Sequence, residues 1–243
     1  MTRRDLTGTG TTEADWQASG VLAALPRATP EAVRPPGRVV VLAPHPDDET
    51  LGAGATLAAW ARTGTPVTVV AVTDGEASHP GSPTLSPADL VGRRVDERTA
   101  ALRRLGLADA PVVRIGLPDG GVAPRRRELA AALADVVVPG DTLLAPVPGD
   151  GHPDHDAVAD VAAEVGVPVL GYAVWWWHWA AAGDLRPGAV VVGPDEAARE
   201  AKRAAVACFR TQVEPLSDHP ADAAILPPPV LERLVRHDEV LWR

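Results

Sequence analysis

Two short runs of this chain combine histidine, proline and aspartate: His45-Pro46-Asp47-Asp48 and His152-Pro153-Asp154-His155. Imidazole nitrogen and carboxylate oxygen are the ligands zinc takes, typically three from the protein with water completing a catalytic site. Each run follows an apolar segment that breaks at Ala-Pro, Val39-Val40-Val41-Leu42-Ala43-Pro44 in one case and Leu143-Leu144-Ala145-Pro146 in the other. Ligand-bearing turns at the ends of two buried strands imply one site assembled from both. An acidic turn before a helix also complements the helix dipole with no chemistry attached. One cluster alone therefore carries little weight, and the pair carries much more.

The elements that must position these turns alternate strand and helix. Continuous apolar, β-branched runs at Arg38–Ala43, Val67–Val72, Val112–Ile115, Thr142–Ala145 and Val167–Tyr172 are the pattern of parallel strands covered on both faces. Helical spacing falls between them, over Leu51–Arg62, Pro87–Leu105, Arg125–Val138 and Pro153–Val165, with Pro153 suited to a first helical turn. This βαβ alternation predicts an α/β fold, a three-layer Rossmann-like sandwich with a mostly parallel sheet. Ligands in such sheets bind beyond the carboxyl ends of the strands, where strand order reverses. If the first and fourth strands are neighbours there, His45, Asp48, His152 and His155 converge. The turn after Ala43 is not the glycine-rich cradle of a nucleotide site. Residues 1–37 read as a polar leader, weakly helical over Thr12 to Leu25. Residues 38–243 read as one domain, with a core over 38–175 and a C-terminal extension over 176–243.

Composition narrows the class. The chain has 243 residues, 46% of them hydrophobic, which fits a folded domain with a substantial core. A formal charge of −9 argues against nucleic acid as a partner. The single cysteine, Cys208, has no internal partner, the N-terminus shows no apolar signal region, and no stretch reaches membrane-spanning length. A cytoplasmic location is expected, and a homo-oligomer stays open.

The two clusters together resemble those of the PIG-L/LmbE-like family of zinc-dependent N-deacetylases. The resemblance extends to Thr73-Asp74-Gly75-Glu76, to Arg94-Val95-Asp96-Glu97 with Ala101, Leu105 and Gly106, and to Leu117-Pro118-Asp119-Gly120. It covers roughly residues 38–175, with a weaker segment from Lys202 to Gln212. It implies a hydrolase that removes an acetyl group from an N-acetylglucosaminyl substrate, or cleaves a related amide of a larger glucosaminyl conjugate. A metal- or sugar-binding protein without catalysis is the alternative of another class. A phosphoesterase would call for a two-metal carboxylate bridge and more basic residues. One position departs from the pattern. Some relatives carry a tyrosine two residues before the first histidine of the second cluster, where this chain has Asp150, and Tyr172 is no evident substitute.

On this reading one Zn2+ per chain is held by His45, Asp48 and His155. Asp47, adjacent but not needed as a ligand, serves as general base and then acid. His152 faces the oxyanion, with Asp154 keeping its imidazole oriented and protonated. Arg94, Asp119 and Asp74, on or near the loops at the strand ends, are the expected contacts to the sugar. In the Trp175-Trp176-Trp177-His178-Trp179 run, strand-like alternation places Trp175, Trp177 and Trp179 on one face, with one face in the core and the other free to stack on substrate.

Overall fold

The structure, a computed structural model, describes residue 6 and residues 8–243. Among the described residues, one sheet holds eight strands: β1 (Arg27–Ala28), β2 (Val39–Ala43), β3 (Val67–Ala71), β4 (Val112–Arg114), β5 (Thr142–Pro146), β6 (Val169–Tyr172), β7 (Ala189–Val192) and β8 (Glu239–Trp242). Their order is β1-β7-β8-β6-β5-β2-β3-β4. All neighbours are parallel except β8, which runs antiparallel to β6 and β7. The helices are α1 (Glu13–Ala18), α2 (Val21–Ala24), α3 (Asp48–Arg62), α4 (Pro87–Arg104), α5 (Arg126–Val136), α6 (Pro153–Glu164), α7 (Trp176–Trp179), α8 (Glu196–Val206), α9 (Arg210–Val213) and α10 (Pro228–Leu234).

Strand β2 shows why the apolar runs are continuous. All five of its residues are fully buried. Val39, Val41 and Ala43 point into the core shared with α3, α4 and α8, while Val40 and Leu42 point into the core under α5 and α6. Pleating sends alternate side chains to opposite faces, so a strand covered on both must be apolar throughout. The three layers follow from this.

Chain order reverses beside β2. From β2 the sheet grows outward through β3 and β4, and then β5 returns to pair with β2 on its other side, Val39 opposite Thr142 and Val41 opposite Leu144. The expected neighbouring of these two strands is therefore observed, and both histidine-bearing turns leave the same sheet edge.

Three features differ from the sequence reading. The leader and the extension both enter the sheet: β1 pairs with β7, and β8 lies between β7 and β6. Helix α3 begins at Asp48, not Leu51, because Asp48 and Glu49 form an acidic first turn suited to a helix N-terminus. The tryptophan run is a short helix, α7, and not an alternating strand. The Asp150 carboxylate accepts the amides of Val174, Trp175 and Trp176 at 2.9–3.0 Å, and gathering three successive N–H groups on one anion imposes a turn. Trp176 and Trp177 are buried, with Trp16 stacked on Trp176 at 5.3 Å between ring centres. Trp175 is left half-exposed.

Candidate metal centre and active site

After Ala43 the chain turns through His45 to Asp48 before α3 begins. Asp47 has φ 153°, and it alone among the described non-glycine residues has positive φ. An L-residue reaches that region only under constraint from its surroundings. The constraint is Arg94 of α4, whose guanidinium donates to the Pro46 carbonyl at 3.1 Å, to Asp47 Oδ2 at 3.0 Å and to the Gly75 carbonyl at 3.1 Å. Gly75 is required in this grip, since a Cβ there would lie 2.0 Å from an Arg94 nitrogen.

Three donor atoms meet at the ends of β2 and β5. His45 Nδ1 lies 3.2 Å from Asp48 Oδ2, His155 Nε2 lies 3.2 Å from the same oxygen, and the two imidazole nitrogens are 3.3 Å apart. Ligand bonds of about 2.0–2.1 Å in a tetrahedral zinc site separate donors by about 3.3–3.4 Å. The triangle is of that size. Asp48 Oδ2 is further fixed by the His45 backbone amide at 2.8 Å. His155 Nδ1, on the far side of its ring, lies 2.8 Å from Asp150 Oδ2, and His45 Nε2 lies 3.1 Å from Asp119 Oδ1 and 3.4 Å from Asp154 Oδ2. Carboxylates behind both rings favour tautomers that keep lone pairs on the triangle side. Two imidazole nitrogens and a carboxylate oxygen turned on one another, all buried, fit a cation. Wider donor groups pair His45 with His152 and His155, and with Asp119 and Asp154, within 4.8 Å.

The electrostatics follow from the crowding. Burial works against charge on His155, but Asp48 and Asp150 outweigh it and raise the imidazole to about 9. On His45 burial is likewise outweighed, by Asp119, Asp154 and Asp48. Burial also opposes ionisation of Asp48, yet His155 and His45 hold it far below the carboxylate range. Asp47 goes the other way: burial pushes its carboxyl up to about 7 against the Arg94 guanidinium, with Asp48 adding to the rise.

A pocket of about 300 Å³ opens beside the triangle. His45, Asp47, Asp48, Arg94, Asp119 and His152 line its polar side, and Leu51, Val174, Trp175, Ile225 and Leu226 its apolar side. Asp119 is fixed there by the Ala77 amide at 2.9 Å, and although burial opposes its charge, His45 lowers it to about 2. Gln212, inside the weaker sequence segment, also lines the pocket.

Two expectations are corrected. Asp74 does not line the pocket; its carboxylate takes both arms of Arg114, at 3.0 and 2.6 Å, on the β4 edge. Asp154 does not orient the His152 ring with its carboxylate, which instead accepts the amides of Gly120 at 2.7 Å and Val122 at 3.1 Å. His152 is held by the Asp154 backbone amide, which donates to its Nδ1 at 3.2 Å. That bond leaves the ring proton on Nε2. Nor is His152 protonated: burial, with His45 and His155 beside it, lowers it to about 3. Asp150 is the residue the sequence flagged only as a departure, and its place behind His155 was not foreseen. The available signal was a carboxylate in place of the relatives' tyrosine, two residues before one cluster histidine and five before the other.

Comparison with known proteins places these features in context. The family model described as PIG-L: GlcNAc-PI de-N-acetylase matches residues 40–165. A 1D-myo-inositol 2-acetamido-2-deoxy-alpha-D-glucopyranoside deacetylase of Kineococcus radiotolerans is 30% identical over 214 residues, covering 72% of this chain and 57% of that protein. Its counterpart of Tsukamurella paurometabola is 32% identical over 190 residues, covering 60% and 63%. The chain thus spans less than two thirds of the length of these relatives. Among solved structures, the antimicrobial reagent A40926 pseudoaglycone deacetylase superposes with a TM-score of 0.60 at 28% identity, covering 84% of this chain and 96% of the other. The N,N'-diacetylchitobiose deacetylase from Pyrococcus horikoshii shares the fold, with a TM-score of 0.52 at 21% identity over 71% and 70% of the two chains.

Proposed function

This chain belongs to the PIG-L: GlcNAc-PI de-N-acetylase family, and from that premise we propose that it is a metal-dependent hydrolase removing the acetyl group from the nitrogen of an N-acetylglucosaminyl substrate. The observation that carries the reading is the His45, Asp48 and His155 donor triangle with edges of 3.2–3.3 Å, beside a buried carboxylate, Asp47, that is not part of it. These three residues would hold the ion, which the donor set favours as zinc. Such an ion would polarise the acyl oxygen and make a bound water acidic near neutral pH.

Asp47 then takes a proton from the attacking water and returns it to the departing amine. A carboxyl raised to about 7 suits both halves of that task at neutral pH. Arg94 holds the carboxylate by one oxygen and keeps its strained turn in place. His152 is a neutral donor: with Nδ1 occupied by a backbone amide, its Nε2–H is available to the carbonyl oxygen as that oxygen gains charge. Asp150 fixes the His155 ring from behind. Asp119 offers a carboxylate to sugar hydroxyls, and Arg94 shapes the same wall.

The apolar side formed by Trp175, Ile225 and Leu226 favours a conjugate bearing an apolar group beside the amino sugar over the free sugar. No described helix is long and apolar enough to cross a membrane, and with Cys208 unpaired we assign the protein to the cytoplasm. The test is incubation of zinc-loaded protein with a panel of N-acetylglucosaminyl compounds, following acetate and free amine. Equimolar release of both, abolished by a chelator and restored by zinc, is expected; no release from any member, or chelator-resistant release, contradicts the reading.

A further inference from the structure

Lys202, the sole lysine of the chain, and Glu239 form an ion pair of 2.7 Å, with side chains 5% and 3% exposed. They come from α8 and β8, outside the family-matched segment, and neither lines the pocket. Both reach α3 where that helix is broken, at Ala53 with φ −146° and ψ 20°.

A break leaves carbonyls on one side and amides on the other without ladder partners, and buried groups must find them elsewhere. Here the amides of Ala55 and Thr56 donate to the two oxygens of Glu239 at 2.9 and 2.8 Å, joined by the Thr56 hydroxyl at 2.6 Å. The Leu51 carbonyl accepts from Lys202 Nζ at 2.8 Å. The stretch of α3 after the break thus presents an N-terminal end and receives an anion. The turn before it presents a C-terminal end and receives a cation. Each charge matches the dipole of the end it meets, and the two neutralise each other.

The turn before the break contains Asp48 and Leu51 and follows Asp47 directly, and all three line the pocket. Gly52, beside the break, makes room for a ring: a Cβ there would lie 2.1 Å from Tyr172, whose hydroxyl donates to Leu42 of β2 at 2.8 Å. The turn is therefore held from two sides, by the Tyr172 ring of β6, itself anchored on β2, and by the ion pair.

We propose that Lys202 and Glu239 are positioning residues for the metal centre, which by capping both ends of the break in α3 fix where Asp47 and Asp48 stand relative to His45 and His155. An unbroken helix would swing the Asp48 turn off that line. The proposal rests on the reading of Asp48 as a metal ligand, so its test includes a readout that needs no metal.

Lys202→Met, Glu239→Gln and the milder Thr56→Val are compared with the parent protein. Amide hydrogen exchange is measured on the metal-free proteins, Zn2+ affinity by chelator competition per folded molecule, and kcat and KM for any substrate found. For the two charge variants, exchange at residues 48–51 should quicken at least tenfold relative to amides of β2 and β5. Zn2+ affinity should fall about 10–100-fold, as for other residues that orient ligands, and kcat should fall with KM nearly unchanged. Thr56→Val should move the same quantities in the same direction by a few-fold. Should a charge variant fail to fold, Thr56→Val alone decides. Unchanged local exchange at residues 48–51 overturns the proposal, as does parental Zn2+ affinity in variants that are only globally less stable. A parent protein that binds no Zn2+ instead removes the metal reading, while the exchange comparison still decides whether the pair holds the turn.

Discussion

The two histidine-bearing turns share a sequence pattern but not a geometry. After β2, His45, Asp47 and Asp48 occupy the places that His152, Asp154 and His155 occupy after β5. The last position of each pattern joins the donor triangle. The other two positions diverge. His45 is buried and turns Nδ1 to the triangle, whereas His152 is half-buried, caps α6 and faces the pocket. Asp47 stands in the pocket at φ 153°, while Asp154 sits inside α6 with its carboxylate on two loop amides. The surroundings decide this difference. Arg94 pulls the first turn into a strained conformation, whereas the Gly120 and Val122 amides hold Asp154 within the first turn of α6. One aspartate faces the pocket and its counterpart is absorbed into structure.

If this comparison is right, substitutions at matching positions should have unlike consequences. The largest effect is expected at the shared ligand position. His155→Ala should lose bound metal and fall to background activity, read by elemental analysis of the purified protein; undiminished metal would remove His155 from the ligand set. Next comes the support behind that ligand. Asp150→Asn should weaken metal affinity about 10–100-fold, measured by chelator competition, and should also disturb Trp175, because the same carboxylate holds its amide. Unaltered affinity would mean that His155 is oriented by packing alone.

The second turn should respond in stability. Asp154→Asn sets an amide nitrogen against one of the two loop N–H groups, and a buried group left unpaired costs about 1–3 kcal/mol. Urea unfolding should detect that loss while metal content stays stoichiometric, because Asp119 still stands closer behind His45, at 3.1 Å. An unchanged unfolding midpoint with a rate loss as large as that of Asp47→Asn would erase the distinction between the two aspartates.

Much of this was legible in the residues because it depends on local composition. Both-face burial makes β2, β3 and β5 continuous apolar runs, and the histidines and aspartates at the ends of β2 and β5 are of the types that can bind a metal. What was not legible depends on distant partners. Nothing within His45-Pro46-Asp47-Asp48 specifies the φ of Asp47, which is imposed by a guanidinium 47 residues away in sequence. Nothing local in Asp154 names Gly120 and Val122. Strand β1 has two residues, too few for a periodicity, and β8 carries a buried Glu239 that reads as a surface residue until Lys202 and α3 are placed around it. The tryptophan run looked like an alternating strand because the anion that bends it, Asp150, lies 24 residues before Val174.

The smallest expected effect lies in the loops over the pocket. Asp222 accepts the hydroxyls of Ser82, Thr84 and Ser217, tying the loop after β3 to the segment that carries Ile225 and Leu226. Burial opposes its charge, but those three hydroxyls hold its carboxyl at about 2. A carboxyl lower in the folded than in the unfolded state, where aspartate titrates near about 3.9, stabilises the fold above that value and ceases to as pH falls toward about 2. Unfolding followed from pH 5 to pH 2 should show this loss in the parent protein and a flatter profile in Asp222→Ala. Parallel profiles would remove Asp222 as the clasp.

The central claim is that the first turn supplies both a metal ligand and, one residue away, the proton carrier. The most direct test is metal content and turnover measured on one preparation of Asp47→Asn, with a substrate the parent protein deacetylates. Full metal occupancy with kcat reduced about 10²-fold or more is the predicted result. Near-parental turnover, or loss of the metal along with activity, would contradict the separation of ligand from base.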